Sequence, residues 1–238
     1  MENLTGKPDG KTASLSVFEG MVITMSHKNL NNYAVQLEAA RELFLKWDQS
    51  QLTKRAGITV DEDFIFVCFF NSHYSVNRHT GEVLSGGLGE KADYNAVMVI
   101  YDILCNSKPD AFLSRQWITV ENLSPHSNFG SKDRSLYSPA GRHFSGKVDL
   151  LKKACEALGG FEAKKSDAGY LFNAFPFLPM IFQFWEGDEE FAPQVTFLFD
   201  KNTMDFCCFE SAWFMAAHLV ELIREQMDTE FSMGFYGR

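Results

Sequence analysis

The chain has 238 residues, enough for one large domain or two small ones with a substantial core. Its 31 acidic against 22 basic residues give a formal charge of −9, which offers no electrostatic footprint for a phosphate backbone and argues against a nucleic-acid partner. Hydrophobic residues at 45% and charged residues at 22% are ordinary globular values, but 23 Phe with 4 Trp and 7 Tyr predict an aromatic core.

Residues 1–16 are polar and contain glycine, and are expected to form a flexible segment preceding a single domain over 17–238. They lack signal-peptide grammar. From Asn32, Tyr33, Leu37, Ala40, Phe44 and Trp47 recur at helical steps and predict an amphipathic helix. Residues 64–70, residues 74–76 and Val83, with NRHTG between the last two, read as a strand meander with tight turns. A second helix is expected from Asp93, a good N-cap, through Leu104, apolar on most sides and therefore buried.

Residues 117–120 read as a short strand and residues 124–142 as a loop rich in Ser, Asn, Gly and Pro. A third helix is expected over about 147–158, ended by Gly159 and Gly160. Residues 170–172, 177–185 and 195–199 read as strands. A last helix over about 211–227 carries the stripe Trp213, Ala217, Val220, Ile223 and Met227, suited to lying on a sheet. No apolar run reaches the roughly 20 residues a spanning helix needs, so no membrane association and a cytoplasmic location are expected. Helices and strands do not alternate strictly, which predicts an α+β domain with a largely antiparallel sheet covered by about four helices.

Two segments carry charge chemistry. In FWEGDEEFAPQVTFLFD, residues 184–200, Glu186, Asp188, Glu189 and Glu190 precede a strand that ends at Asp200. One reading is a solvated turn between two strands, with Gly187 supplying backbone freedom and Pro193 delaying the second strand. The other brings Asp188, Glu189, Glu190 and Asp200 onto a divalent metal or into acid/base work, because oxygen-rich sites suit hard cations. The segment SPHSNFGSKDRSLYSPAGR, residues 124–142, has the opposite sign, with His126, Lys132, Arg134 and Arg142 followed by His143. A basic, glycine-containing loop before a helix is suited to holding an anion, although its spacing matches neither a P-loop nor a dinucleotide fingerprint. A solvated loop and salt bridges to the acidic turn remain the other readings.

The remaining candidates are sparse. Cys68, Cys105, Cys155, Cys207 and Cys208 form no CxxC pair and are expected to be structural. His218 shares a helix side with Glu221 and Glu225, the pattern of a solvent face. No GxSxG, HExxH or SxxK is present.

YDILCNS at 101–107, WITVENL at 117–123, the helix ending ALGG, FPFLPMIFQFWEGDEEF at 175–191 and VTFLFD at 195–200 resemble, in that order, a family of anaerobic bacteria and archaea catalogued as domain of unknown function 3786. The likeness spans roughly residues 30–225. Its most specific piece is P-x-L-P followed by W-x-G-D-E-E-F and L-F-D, matched by Pro176, Pro179, Trp185, Gly187, Asp188, Glu189, Glu190, Phe191 and Asp200.

The resemblance implies no activity. Some relatives carry an iron–sulfur domain like those of one-carbon and corrinoid metabolism, and this chain lacks that cysteine cluster. That association and the aromatic composition lead to an expectation of an accessory protein binding a tetrapyrrole or corrinoid-like cofactor, with His126, Lys132, Arg134, Arg142, His143 and Trp185 as contacts. An enzyme with a carboxylate or divalent-metal site around Asp188 and Asp200, and a protein-interaction subunit with an exposed aromatic patch, are the alternatives.

Overall fold

A computed structural model describes residues 30–86, 89–123, 138–163 and 165–236. The expected flexible segment, residues 1–16, lies outside the described residues. The architecture is α+β, with two antiparallel sheets and five helices among the described residues.

The first helix, α1 (Leu30–Lys46), buries Ala40 and Phe44, and Phe44 stacks on Tyr101 with ring centroids 5.1 Å apart. Strands β1 (Ile58–Val60), β2 (Phe64–Phe69), β3 (Ser72–Asn77) and β4 (Val83–Ser85) then form a meander in chain order, as the turn signals predict. Alternation buries Ile65, Val67 and Phe69 along β2 and leaves Phe64, Phe66 and Cys68 half-buried. Asn77 Oδ1 accepts from the His79 and Thr80 N–H groups, and Gly81 takes a positive φ of 74°, closing the NRHTG turn.

Helix α2 (Tyr94–Asn106) starts where expected, with Asp93 accepting from Ala96 N at 3.1 Å, and buries every residue from Ala96 to Leu104. Its Tyr101 hydroxyl donates to the Gly81 carbonyl, tying the helix to the first sheet. Beyond it, β5 (Trp117–Thr119), β6 (Phe161–Glu162), β7 (Ala168–Phe175), β8 (Leu178–Trp185) and β9 (Gln194–Asp200) make the second sheet, ordered β5-β9-β8-β7-β6. From Met180 to Phe184 every residue of β8 is buried, because the strand is covered on both faces. Eleven of the twelve largest fully buried side chains are aromatic, so the interior is packed ring on ring.

Two short helices cover this sheet, α3 (Ser138–Phe144) and α4 (Val148–Ala157). The loop expected over 124–142 is therefore helical from Ser138. Pro139 in the first turn has a φ pre-set for a helix and no N–H to leave unpaired, and Phe144 anchors the element edge-to-face on Phe182 and Phe184 at 6.0 and 6.1 Å. As expected, α4 stops at Gly159, whose φ is 80°.

The last helix, α5 (Phe209–Tyr236), packs chiefly between α2 and α4 rather than on a sheet. Two helical neighbours bury more than one stripe, so Ala212, Met215, Ala216 and Leu219 are covered along with Ile223 and Met227. Among the described residues, no helix is long and apolar enough to cross a membrane.

The sheets are joined at one corner. Phe70 N donates to Ala174 O at 2.8 Å, and the Arg55 guanidinium lies 5.1 and 4.9 Å from the ring centroids of Phe177 and Phe206.

Candidate functional site

The acidic stretch folds as a closed turn. Asp188 Oδ1 accepts from Glu190 N and Phe191 N at 2.8 and 2.7 Å, and Asp188 N donates to Phe191 O at 2.9 Å. Those N–H bonds hold the Asp188 carboxyl below its ordinary value, that of Phe191 having the larger effect. A Cβ on Gly187 would lie 2.7 Å from Pro193 Cδ and 2.9 Å from Phe191 O, so only glycine fits inside the turn. Glu189, Glu190 and Phe191 remain exposed at its tip, and Trp185 sits half-buried at the end of β8 opposite Gln194.

Glu186 reaches the other way. Its carboxylate accepts from Ser145 Oγ at 2.5 Å and Gly146 N at 2.7 Å, across the junction of α3 and α4. Gly141 of α3 lies flush on the start of β9, since a Cβ there would sit 2.7 Å from Pro193 O. The acidic turn and the end of the basic segment thus abut directly, with Arg142 exposed and His143 half-buried on the same short helix. His126, Lys132 and Arg134 lie outside the described residues.

The Ser145 hydroxyl first, and the Gly146 and Gly187 N–H groups after it, lower the Glu186 pKa. A depressed carboxyl contributes stability above its unfolded value, here the ordinary 4.5, and that contribution disappears as pH falls through the lower folded value. Glu186→Gln should therefore lose less stability than the parent between about pH 6 and about pH 3 in urea titrations. Equal losses in the two proteins would remove this clamp from the acid response.

Asp200 is buried, 1% exposed, at the far end of β9. Its Oδ1 accepts from Ser114 N, Ser114 Oγ and Asn202 N at 2.9 Å each, and its Oδ2 from Arg115 N at 2.6 Å. The carboxylate is the centre of a loop joint, with all four contacts from donors of the chain. The length of β9 separates it from the Asp188 turn by about 20 Å at the usual strand rise. The four acids expected at a metal are thus split between two places, and among the described residues no group of three or more His, Cys, Asp or Glu is placed to hold an ion.

A crevice of about 320 Å³ opens between α3 and α5, lined by Pro139, Ala140, His143, Ala217, Val220, Glu221 and Arg224. His143 is the residue of the expected contact set found in it. Burial first, then the positive charges of Lys147 and Arg224, lower the His143 pKa, so its imidazole is neutral near pH 7. Arg224 shares its guanidinium with Glu221 at 3.1 Å, and Ala217 and Val220 supply an apolar floor.

A second constellation was not legible in the sequence. His218, expected on a solvent face, is buried at 5% exposure because α5 is covered on several sides. Its ring stacks on Phe69 at 4.9 Å, its Nδ1 lies 3.3 Å from Asp93 Oδ2, and its buried Nε2 has no hydrogen-bond partner among the described residues. Burial of Asp93 acts to raise its pKa, but the His218 contact and the N–H groups opening α2 outweigh it and hold the carboxyl low. Spacing along α5 could not reveal this pair, since its members are 125 residues apart in sequence (218 − 93).

All five cysteines are free. Burial pushes the thiols of Cys105, Cys155, Cys207 and Cys208 up, with Asp102 adding to the effect on Cys105, Cys207 and Cys208, so they are inert rather than nucleophilic. Asp102 itself accepts from Cys208 N at 2.7 Å and helps start α5.

Among known families, the one described as Domain of unknown function (DUF3786) matches residues 48–222. No curated protein and no solved structure matches the chain.

Proposed function

The chain belongs to the DUF3786 family, and from that premise we propose an accessory binding protein for a planar, acidic cofactor of the tetrapyrrole or corrinoid type, held at the α3–α5 crevice. The observation that carries this reading is a neutral His143 imidazole beside the Arg224 cation in one apolar-floored crevice. The residues fit the edge of such a group. His143 offers a nitrogen lone pair for a coordinated metal, Arg224 a partner for a peripheral carboxylate, and Ala217 with Val220 a surface for the ring.

At about 320 Å³ the crevice is at the lower end of small-molecule sites, so it suits one edge of a macrocycle rather than the whole ring. The cofactor would supply its own metal chemistry, while the protein binds and orients it.

Adding haem or cobalamin to the purified protein is expected to shift the absorbance bands, and His143→Ala is expected to weaken that binding about tenfold or more. Absence of a shift with any tetrapyrrole, or an undiminished shift in His143→Ala, would overturn the proposal.

A further inference from the structure

The second sheet ends at β5, which has β9 as its one strand neighbour among the described residues. Lys201 N donates to Gln116 O at 2.8 Å, and the register continues with Trp117 opposite Asp200 and Ile118 opposite Phe199. Gln116 and Ile118 therefore turn their backbone groups to β9, and the alternation of an antiparallel ladder turns the N–H groups of Trp117 and Thr119 to the open edge. An open edge is a template for a further strand, but three residues are too few to hold one without help at the ends.

The two ends of this edge differ in charge. At the Asp200 end, Asn202 Nδ2 holds the Phe112 carbonyl at 3.2 Å and leaves the Phe112 ring 66% exposed beside Trp117, at 36%. Arg115 and Lys201 are exposed there, and neither side chain forms an ion pair among the described residues. Lys108 is neutralised by Asp205 at 2.5 Å, and Asp110 is an exposed acid nearby, so the two cations prevail. At the other end, about 20 Å away along β9, the acidic turn presents Glu189 and Glu190 with Phe191 at 64% exposure. These two carboxylates also form no ion pair among the described residues.

We propose that the β5 edge takes a second copy of this chain, paired antiparallel about a two-fold axis. Such an axis sets each end of one edge against the opposite end of its mate, so an edge that is acidic at one end and basic at the other is complementary to itself. Glu189, Glu190 and Phe191 of one copy then face Arg115, Lys201 and Phe112 of the second, and the contact occurs twice. A chain of formal charge −9 repels its copy in most orientations, whereas this one places cations against acids. The pairing uses no residue that lines the α3–α5 crevice, so it stands apart from the cofactor reading.

Thr119 has a φ of −70°, the angle a proline ring fixes, and Ile118 before it is extended in β5, so Thr119→Pro removes an outward N–H while the fold should be retained. Sedimentation equilibrium of the full chain, up to about 0.5 mM as suits a small interface, is expected to show a monomer–dimer equilibrium that weakens as salt rises. Thr119→Pro, Lys201→Glu and Glu190→Lys, each checked for an unchanged urea midpoint, should each weaken the dimer about tenfold or more. Mixing Lys201→Glu with Glu190→Lys should restore it, because both contacts of the mixed pair again join opposite charges. A parent chain that stays monomeric, species that grow beyond the dimer, a dimer insensitive to Thr119→Pro, or no recovery on mixing would each overturn the proposal, the first of these leaving the edge to a different partner.

Discussion

Replacing Asp200 by alanine is expected to destabilise the protein by about 3 to 5 kcal/mol, one of the two largest single-residue effects we expect. The carboxylate is 1% exposed and accepts four hydrogen bonds, three from backbone N–H groups and one from the Ser114 hydroxyl. Alanine would leave donors from three residues without an acceptor in a covered joint, and each unpaired group carries a desolvation cost of about 1 to 3 kcal/mol. Arg115 sits at a positive φ of 60°, so the loop that Asp200 organises is not one the chain adopts unaided. For a chain of this length the melting temperature should fall by roughly 6 to 20 °C.

Asp200→Asn keeps one carbonyl acceptor but turns an amide toward a donor, and should lie between the parent and alanine. Urea unfolding of the three proteins distinguishes a joint from an active-site group. If Asp200→Ala stays within about 1 kcal/mol of the parent, the joint does not hold that loop, and the carboxylate becomes free for other chemistry.

Gly57→Val is expected to cost about 3 kcal/mol or more, for a different reason. Gly57 has a φ of 78°, which β-branched residues avoid, and a Cβ there would lie 2.6 Å from Pro176 Cγ, 2.9 Å from Pro176 Cδ and 3.3 Å from Cys68 Cβ. Neither neighbour is a flexible tip. Pro176 is a ring in the β7–β8 turn, and Cys68 is fixed in register opposite His73. The clash would fall at the corner where the two sheets meet, beside the Phe70–Ala174 bond.

Pro176→Ala should partly rescue Gly57→Val by removing the ring, whereas the backbone strain would persist. A double-mutant cycle in thermal unfolding reads this coupling directly. Additive losses, with no rescue, would mean that strain rather than the Pro176 contact limits position 57.

These two sites explain part of the segment that carries the family likeness. Pro176 abuts Gly57, Gly187 is enclosed by Pro193 and Phe191, Asp188 caps its own turn, and Asp200 fastens the loop before β5. The acids that look most like a site in the sequence are in large part building joints. At the tip of that segment the side chains of Glu189, Glu190 and Phe191 are exposed.

What the sequence determined by itself was local. The Asp93 cap, the strand at β2, the NRHTG turn and the Gly159 stop were legible because each depends on neighbours within a few residues. The start of α3 at Ser138 had a local signal as well, in the Ser-Pro pair, but it lay inside a segment whose composition reads as loop.

What tertiary structure alone decided was which polar groups meet across long separations. Glu186 finds Ser145 and Gly146, Asp200 finds Ser114 and Arg115, and Asp93 finds His218. Helical spacing placed His218 beside Glu221 and Glu225, but whether that side met water depended on how α2 and α4 flank α5. The physical reason is that periodicity tells which residues share a face, and only the packing of other elements tells what covers that face.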